Sequence, residues 1–147
     1  MNTQMASNAL ITLAPIALPL RLDPSAQRLA GWGELAAAVE QARRAAGAGF
    51  VAADQYGVAA ELARMLPQDV PVIGIGTRWA MLDLPHGEAA TASGLLVRDA
   101  AAGNPTGWRE WREVGHAERT RDGVAVQGFR LFRVAGSNEP QASLPRP

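Results

Sequence analysis

The sequence predicts a small α/β domain with a mostly parallel sheet, flanking helices and a C-terminal antiparallel hairpin. Three observations carry this reading. Two short apolar runs, GFVAA (49–53) and VPVIGI (70–75), bracket a stretch with helical spacing, which is the layout of a βαβ unit. A second helical pattern precedes them, and an Asp-Gly dipeptide near the end separates two extended runs. With 147 residues, the chain suffices for one domain with its own core.

Residues 1–20 precede the predicted domain, which runs from 21 to 135. Within them ALITLAPIALPL (9–20) is apolar but shorter than the about twenty residues that span a bilayer as a helix. Pro15 and Pro19 interrupt it, and it lacks the basic flank and cleavage site of a signal peptide. Composition alone favours a buried arm over the end of a transmembrane helix. The following stretch turns at Asp23-Pro24 and then becomes helical. Trp32, Leu35, Ala36, Val39 and Ala46 share one face, Glu34 lies early, Arg43 and Arg44 lie late, and Gly47 is placed to stop the helix.

After the strand at 49–53, a helix is expected from Gln55 to Leu66, with Val58, Ala59, Leu62, Ala63 and Leu66 facing inward and Pro67 ending it. The strand at 70–75 leads into a loop of little periodicity. SGLLVRD (93–99) is a third strand. TGWREWREVG reads as a short helix, since Trp108, Trp111 and Val114 can share one side. HAERTRDGVAVQGFRLFRV reads as a hairpin turning at Asp122-Gly123, with apolar groups on both faces of its second strand. Residues 136–147 are polar and proline-rich and are expected to be a disordered tail.

Acids and bases balance at 14 each, so no charge excess points to nucleic acid as a partner. Every base is arginine, which with the abundant alanine fits a GC-rich coding bias. The absence of cysteine removes disulfides, thiolate nucleophiles and cysteine metal sites. His86 and His116 have no metal-ligand spacing, so neither a metal site nor a cofactor is expected. GIGTRW follows a strand but lacks the third glycine of a dinucleotide fingerprint, and TASG is not a nucleophile elbow.

Ligands of open parallel sheets gather at the carboxyl ends of the strands. Two loops there carry candidate ligand-binding residues: Asp54, Gln55 and Tyr56 after the first strand, and Arg78 and Trp79 after the second. Each has a structural alternative. Asp54 stands where an N-cap belongs, Tyr56 can pack on the sheet edge, and Arg78 can pair with Asp54 or Asp83. His86, near Asp83 and Glu88, is a candidate base or a solvated loop residue.

LPLRLDPSAQRLAGWGELAAAVEQAR, FVAADQYGVAAELARMLP and PVIGIGTRWAMLDL together resemble the region after the last membrane span of bacterial multi-spanning glycosyltransferases. These are relatives of the dolichyl-phosphate-mannose–protein mannosyltransferases and the aminoarabinose transferases. The D-x-Y-x-x-A-x-E-L segment at 54–62, the Arg78-Trp79 pair and the closing GFRLFRV carry the likeness, which covers residues 17–135. The resemblance implies an extracytoplasmic, periplasmic-face accessory domain, and makes 9–20 the end of a final membrane helix. It implies a polyprenyl-phosphate-linked sugar donor and the enzyme's transmembrane portion as partner, with the catalytic acids in loops of that portion. None of those loops occurs in this chain, so the resemblance implies no catalytic residue here. The alternative is a structural or protein-interaction domain without a small-molecule site.

Overall fold

A computed structural model describes residues 31–81 and 92–145. The expectations for residues 1–30, and those for Asp83, His86 and Glu88, lie outside the described residues. Helix α1 spans Trp32–Ala46, and its C-terminus closes as expected at Gly47, whose left-handed φ of 65° suits glycine. Trp32, Leu35, Ala36 and Val39 are buried on its inner face. On its outer side Arg43 and Arg44 both hold Glu40, at 2.7 and 2.9 Å. Those bonds, that from Arg43 foremost, keep the Glu40 carboxyl below its ordinary pKa.

Strand β1 (Phe50–Ala53) follows, then α2 (Tyr56–Met65), then β2 (Val72–Ile75). Val58, Ala59, Leu62 and Ala63 are the buried residues of α2, which leaves its helical path at Leu66, before Pro67. A 3₁₀ turn at Thr77–Met81 succeeds β2, and β3 covers Ser93–Asp99. Two long strands, β4 (Trp108–Arg121) and β5 (Val124–Ser137), form the hairpin, and β6 (Gln141–Ser143) is the last element.

The six strands form one sheet in the order β4-β5-β3-β1-β2-β6. Strand β1 is parallel to both β2 and β3, while β5, β4 and β6 all add antiparallel. The α/β class expected from the sequence is therefore present, but the sheet is mixed rather than mostly parallel. Its parallel centre has antiparallel wings on both sides.

Two elements account for the difference. TGWREWREVG is not a helix but the first part of β4. The three-residue spacing of Trp108, Trp111 and Val114 imitates helical period, and a register shift between Glu113 and Gly115 breaks the alternation that would reveal a strand. Because β4 is an edge, its outward residues Arg109, Glu110, Arg112 and Glu113 are exposed and read like a solvated helix face. Residues 136–145 are likewise not a disordered tail: β5 runs to Ser137 and β6 pairs with β2. An edge strand needs few apolar side chains, since backbone bonds hold it. Leu144 N–H donates to the Val72 carbonyl and Gly76 N–H to the Pro140 carbonyl, each at 2.9 Å. Two of the prolines in that stretch, Pro140 and Pro145, bracket this short edge strand, a position where a missing N–H does little harm.

Both faces of the sheet bury apolar residues, as the double-faced pattern of β5 anticipates. Val51, Ala53, Val72, Leu95, Val97, Phe129 and Leu131 pack with α1 and α2. Phe50, Ala52, Ile73, Ile75, Leu96, Phe132, Val134 and Trp108 form a second cluster. The hairpin also reaches α1, where Arg119 lies 4.8 Å over the Trp32 ring and the Thr120 hydroxyl donates to Glu34 at 2.9 Å.

At the hairpin turn Asp122 and Gly123 have φ of 51° and 76°, the two left-handed residues of a type I′ turn. Gly123→Val forces a β-branched residue into that region. It is expected to cost about 1–2 kcal/mol in urea unfolding.

Candidate functional site

The carboxyl ends of β1, β2 and β3 open into a cavity of about 230 Å³. Strand β1 lies between β2 and β3, so the chain steps from β1 to β2 on one side and returns past β1 to reach β3 on the other. That reversal is where open α/β sheets leave a crevice. Asp54 enters the cavity from the end of β1, Thr77 and Arg78 from the 3₁₀ turn after β2, and Arg98 from β3. Thr106, Trp108 and Glu139 close it from the antiparallel wings. Ile75, Leu96 and Trp108 supply its apolar wall, all three belonging to the second core cluster.

Arg98 organises the floor. One of its terminal nitrogens pairs with the Asp54 carboxylate, the other donates to the Ala102 carbonyl at 2.9 Å, and Nε donates to the Gly103 carbonyl at 3.1 Å. Each guanidinium nitrogen thus makes one bond to the protein, which uses three of its five N–H donors. Asp54 is not the N-cap of α2: the cap position belongs to Gln55, whose side chain makes no capping bond. The carboxylate turns across the sheet instead, to a partly buried guanidinium that carries a full positive charge where the helix N-terminus offers backbone dipoles alone.

The five residues singled out from the sequence divide into three places. Asp54 and Arg78 line the cavity. Trp79 is only 3% exposed and packs in the helix-side core, its indole lying flat where a side chain on Gly74 would stand. Tyr56, 60% exposed, stacks on Trp79 with ring centres 5.2 Å apart and planes 11° apart. Gln55 reaches Asp99 rather than the cavity.

Asp99 accepts the Ala101 N–H at 2.8 Å and the Gln127 amide at 3.0 Å. The backbone bond foremost, then Gln127, with Gln55 adding to them, holds the Asp99 carboxyl below its ordinary range. A depressed folded pKa stabilises the protein at pH above the ordinary carboxyl value, and the effect is lost as pH falls through the depressed one. The urea midpoint of the native chain is therefore expected to drop below about pH 4. Asp99→Asn flattens its share of that drop, while Glu40→Gln flattens a separate share.

Arg98, Thr106, Trp108 and Glu139 escaped the sequence reading. Arg98 carried a usable signal, an arginine near the end of an apolar strand whose carboxyl end faces a ligand crevice. Glu139 carried none, since its place depends on β6 pairing with β2. Among the described residues no three His, Asp or Glu side chains converge as a metal cluster. No helix among them is long and apolar enough to cross a membrane.

Fold and site together define a mixed α/β domain with a small polar cavity at the carboxyl edge of its parallel strands. Comparison with protein-family models, with curated proteins and with solved structures finds no match to this chain.

Proposed function

We propose that the chain is the extracytoplasmic accessory domain of a membrane glycosyltransferase that uses a polyprenyl-phosphate-linked sugar, and that it contacts the donor or acceptor head group without carrying out transfer itself. The observation that carries this reading is the carboxyl-edge cavity, which offers hydrogen-bonding groups beside an apolar wall at the point where α/β sheets accept ligands. The resemblance of residues 17–135 to the domain after the last membrane span of such enzymes supplies the chemical setting. In it, the partner is the enzyme's transmembrane portion and the location is the periplasmic face of the inner membrane.

The competing reading, an interaction domain without a ligand, draws on the outer edge of β4. There Trp111 is 43% exposed beside a strand edge that pairs with no other described strand. Equilibrium titration of the purified chain with short-chain, water-soluble polyprenyl-phosphate sugars separates the two. Saturable binding to at least one of a panel that includes mannose and aminoarabinose head groups is the expected result. Failure of every member of the panel to bind leaves the interaction reading in place.

A further inference from the structure

We infer that the carboxyl-edge cavity receives a neutral, polyhydroxylated sugar ring and not a phosphate group. This rests on the head-group reading above and makes it specific. Four charged side chains line the cavity, Asp54 and Glu139 against Arg78 and Arg98, and their formal charges cancel. Arg98 is held by the protein, because Asp54 and the Ala102 and Gly103 carbonyls take three of its five N–H donors, one on each nitrogen, and its charge is offset by Asp54. Its role is to position Asp54 and the turn behind it.

The groups that remain are of mixed character. Arg78 offers only donors, the Glu139 carboxylate offers only acceptors, and the Thr77 and Thr106 hydroxyls can do either. Among the described residues neither the Arg78 guanidinium nor the Glu139 carboxylate has a hydrogen-bond or ion-pair partner. A phosphate would meet the Glu139 carboxylate as a like charge, with no net positive charge in the lining to offset it. A sugar hydroxyl both donates and accepts, so a ring with several of them satisfies Arg78 and Glu139 together. Trp108, Ile75 and Leu96 belong to the second core cluster and are at most 8% exposed, so they offer the CH groups of such a ring an apolar margin to touch rather than a platform. The cavity, about 230 Å³, is below the about 300–1,000 Å³ of clefts for drug-sized ligands, which limits its occupant to a small group such as one ring.

The position of Glu139 is built rather than incidental. Its own N–H donates to the Ser137 hydroxyl at 3.1 Å, Asn138 N–H donates to the Gly107 carbonyl at 2.8 Å, and the Pro140 carbonyl accepts from Gly76 at 2.9 Å. The carboxylate then lies across Gly107, where any β-carbon would collide with it. The turn between β5 and β6 thus holds a carboxylate with no partner among the described residues over the ends of the parallel strands.

The test is competition against the polyprenyl-phosphate sugar that binds best, using the methyl glycoside of the same sugar, the sugar 1-phosphate and inorganic phosphate. The expected result is displacement by the uncharged methyl glycoside and none by inorganic phosphate at the same concentration. Glu139→Ala is expected to weaken the glycoside by about tenfold or more. Glu139→Gln, which keeps one acceptor and the shape, is expected to recover part of that loss, with thermal melting unchanged in both. Displacement by phosphate but not by the glycoside overturns the inference while leaving the head-group reading intact, as does binding only of sugars that carry an amine. If no polyprenyl-phosphate sugar binds at all, both fail together.

Discussion

Trp79→Ala is expected to cost about 3–5 kcal/mol of folding stability, the range for removing a fully buried large aromatic side chain. Trp79 belongs to the core between the sheet and its helices, and its indole occupies the space left by the missing side chain of Gly74. Alanine there leaves a void that a central strand cannot collapse to fill. Tyr56→Ala, by contrast, removes an exposed ring from the outer side of the same stack, and a loss of about 1 kcal/mol is expected. The two substitutions compared by urea unfolding decide between two roles for this pair. If Trp79 were an open platform for a ligand, its loss would cost little stability. Because Thr77 and Arg78 share its 3₁₀ turn, Trp79→Ala is also expected to weaken head-group binding through disorder of the cavity rim.

Arg98→Ala is the second large effect, with an expected loss of about 2 kcal/mol. That value lies between those for exposed and fully buried ion pairs, because the Arg98 and Asp54 side chains remain 18% and 27% exposed. The substitution leaves the Asp54 carboxylate without its cation and also frees the carbonyls of Ala102 and Gly103. Arg98→Lys should restore only a minor part, since an ammonium cannot span Asp54 and two carbonyls as the planar guanidinium does. Thermal unfolding of the three proteins checks the order, native above lysine above alanine. Asp54→Ala is expected to be milder than Arg98→Ala, because it leaves the two carbonyl bonds in place.

The parts of the fold legible in the sequence are those where one residue pattern has one structural meaning. Leu35 and Val39 on α1, Val58 and Leu62 on α2, and the apolar runs of β1 and β2 announce buried faces by spacing alone. Asp122-Gly123 announces a hairpin because few other dipeptides accept two left-handed residues. Patterns failed where long-range pairing overrides local signal. Trp108, Trp111 and Val114 carry a helical period on an edge strand that a bulge has thrown out of alternation. Residues 141–143 look like a tail until the edge of β2 gives their backbone a partner.

The candidate site was half legible for the same reason. Asp54 and Arg78 follow directly from the rule that ligands meet parallel strands at their carboxyl ends. The partner of Asp54 did not follow, because Arg98 lies 44 residues away and only the β1–β3 pairing joins them. Trp79 shows the limit of reading chemistry from residue type. An indole at a strand end suits a sugar as well as a core, and the glycine at position 74 that settles the matter is informative only once the turn is seen to fold back over it.

The most direct measurement of where the head group sits is the ¹H–¹⁵N spectrum of the chain titrated with a binding short-chain polyprenyl-phosphate sugar. Saturable shifts are expected at Thr77 and Arg78, at Thr106 and the Trp108 indole, and at Glu139, with the β4 outer edge unmoved. Shifts confined to Trp111 and the neighbouring residues of β4, with the cavity silent, would contradict this placement.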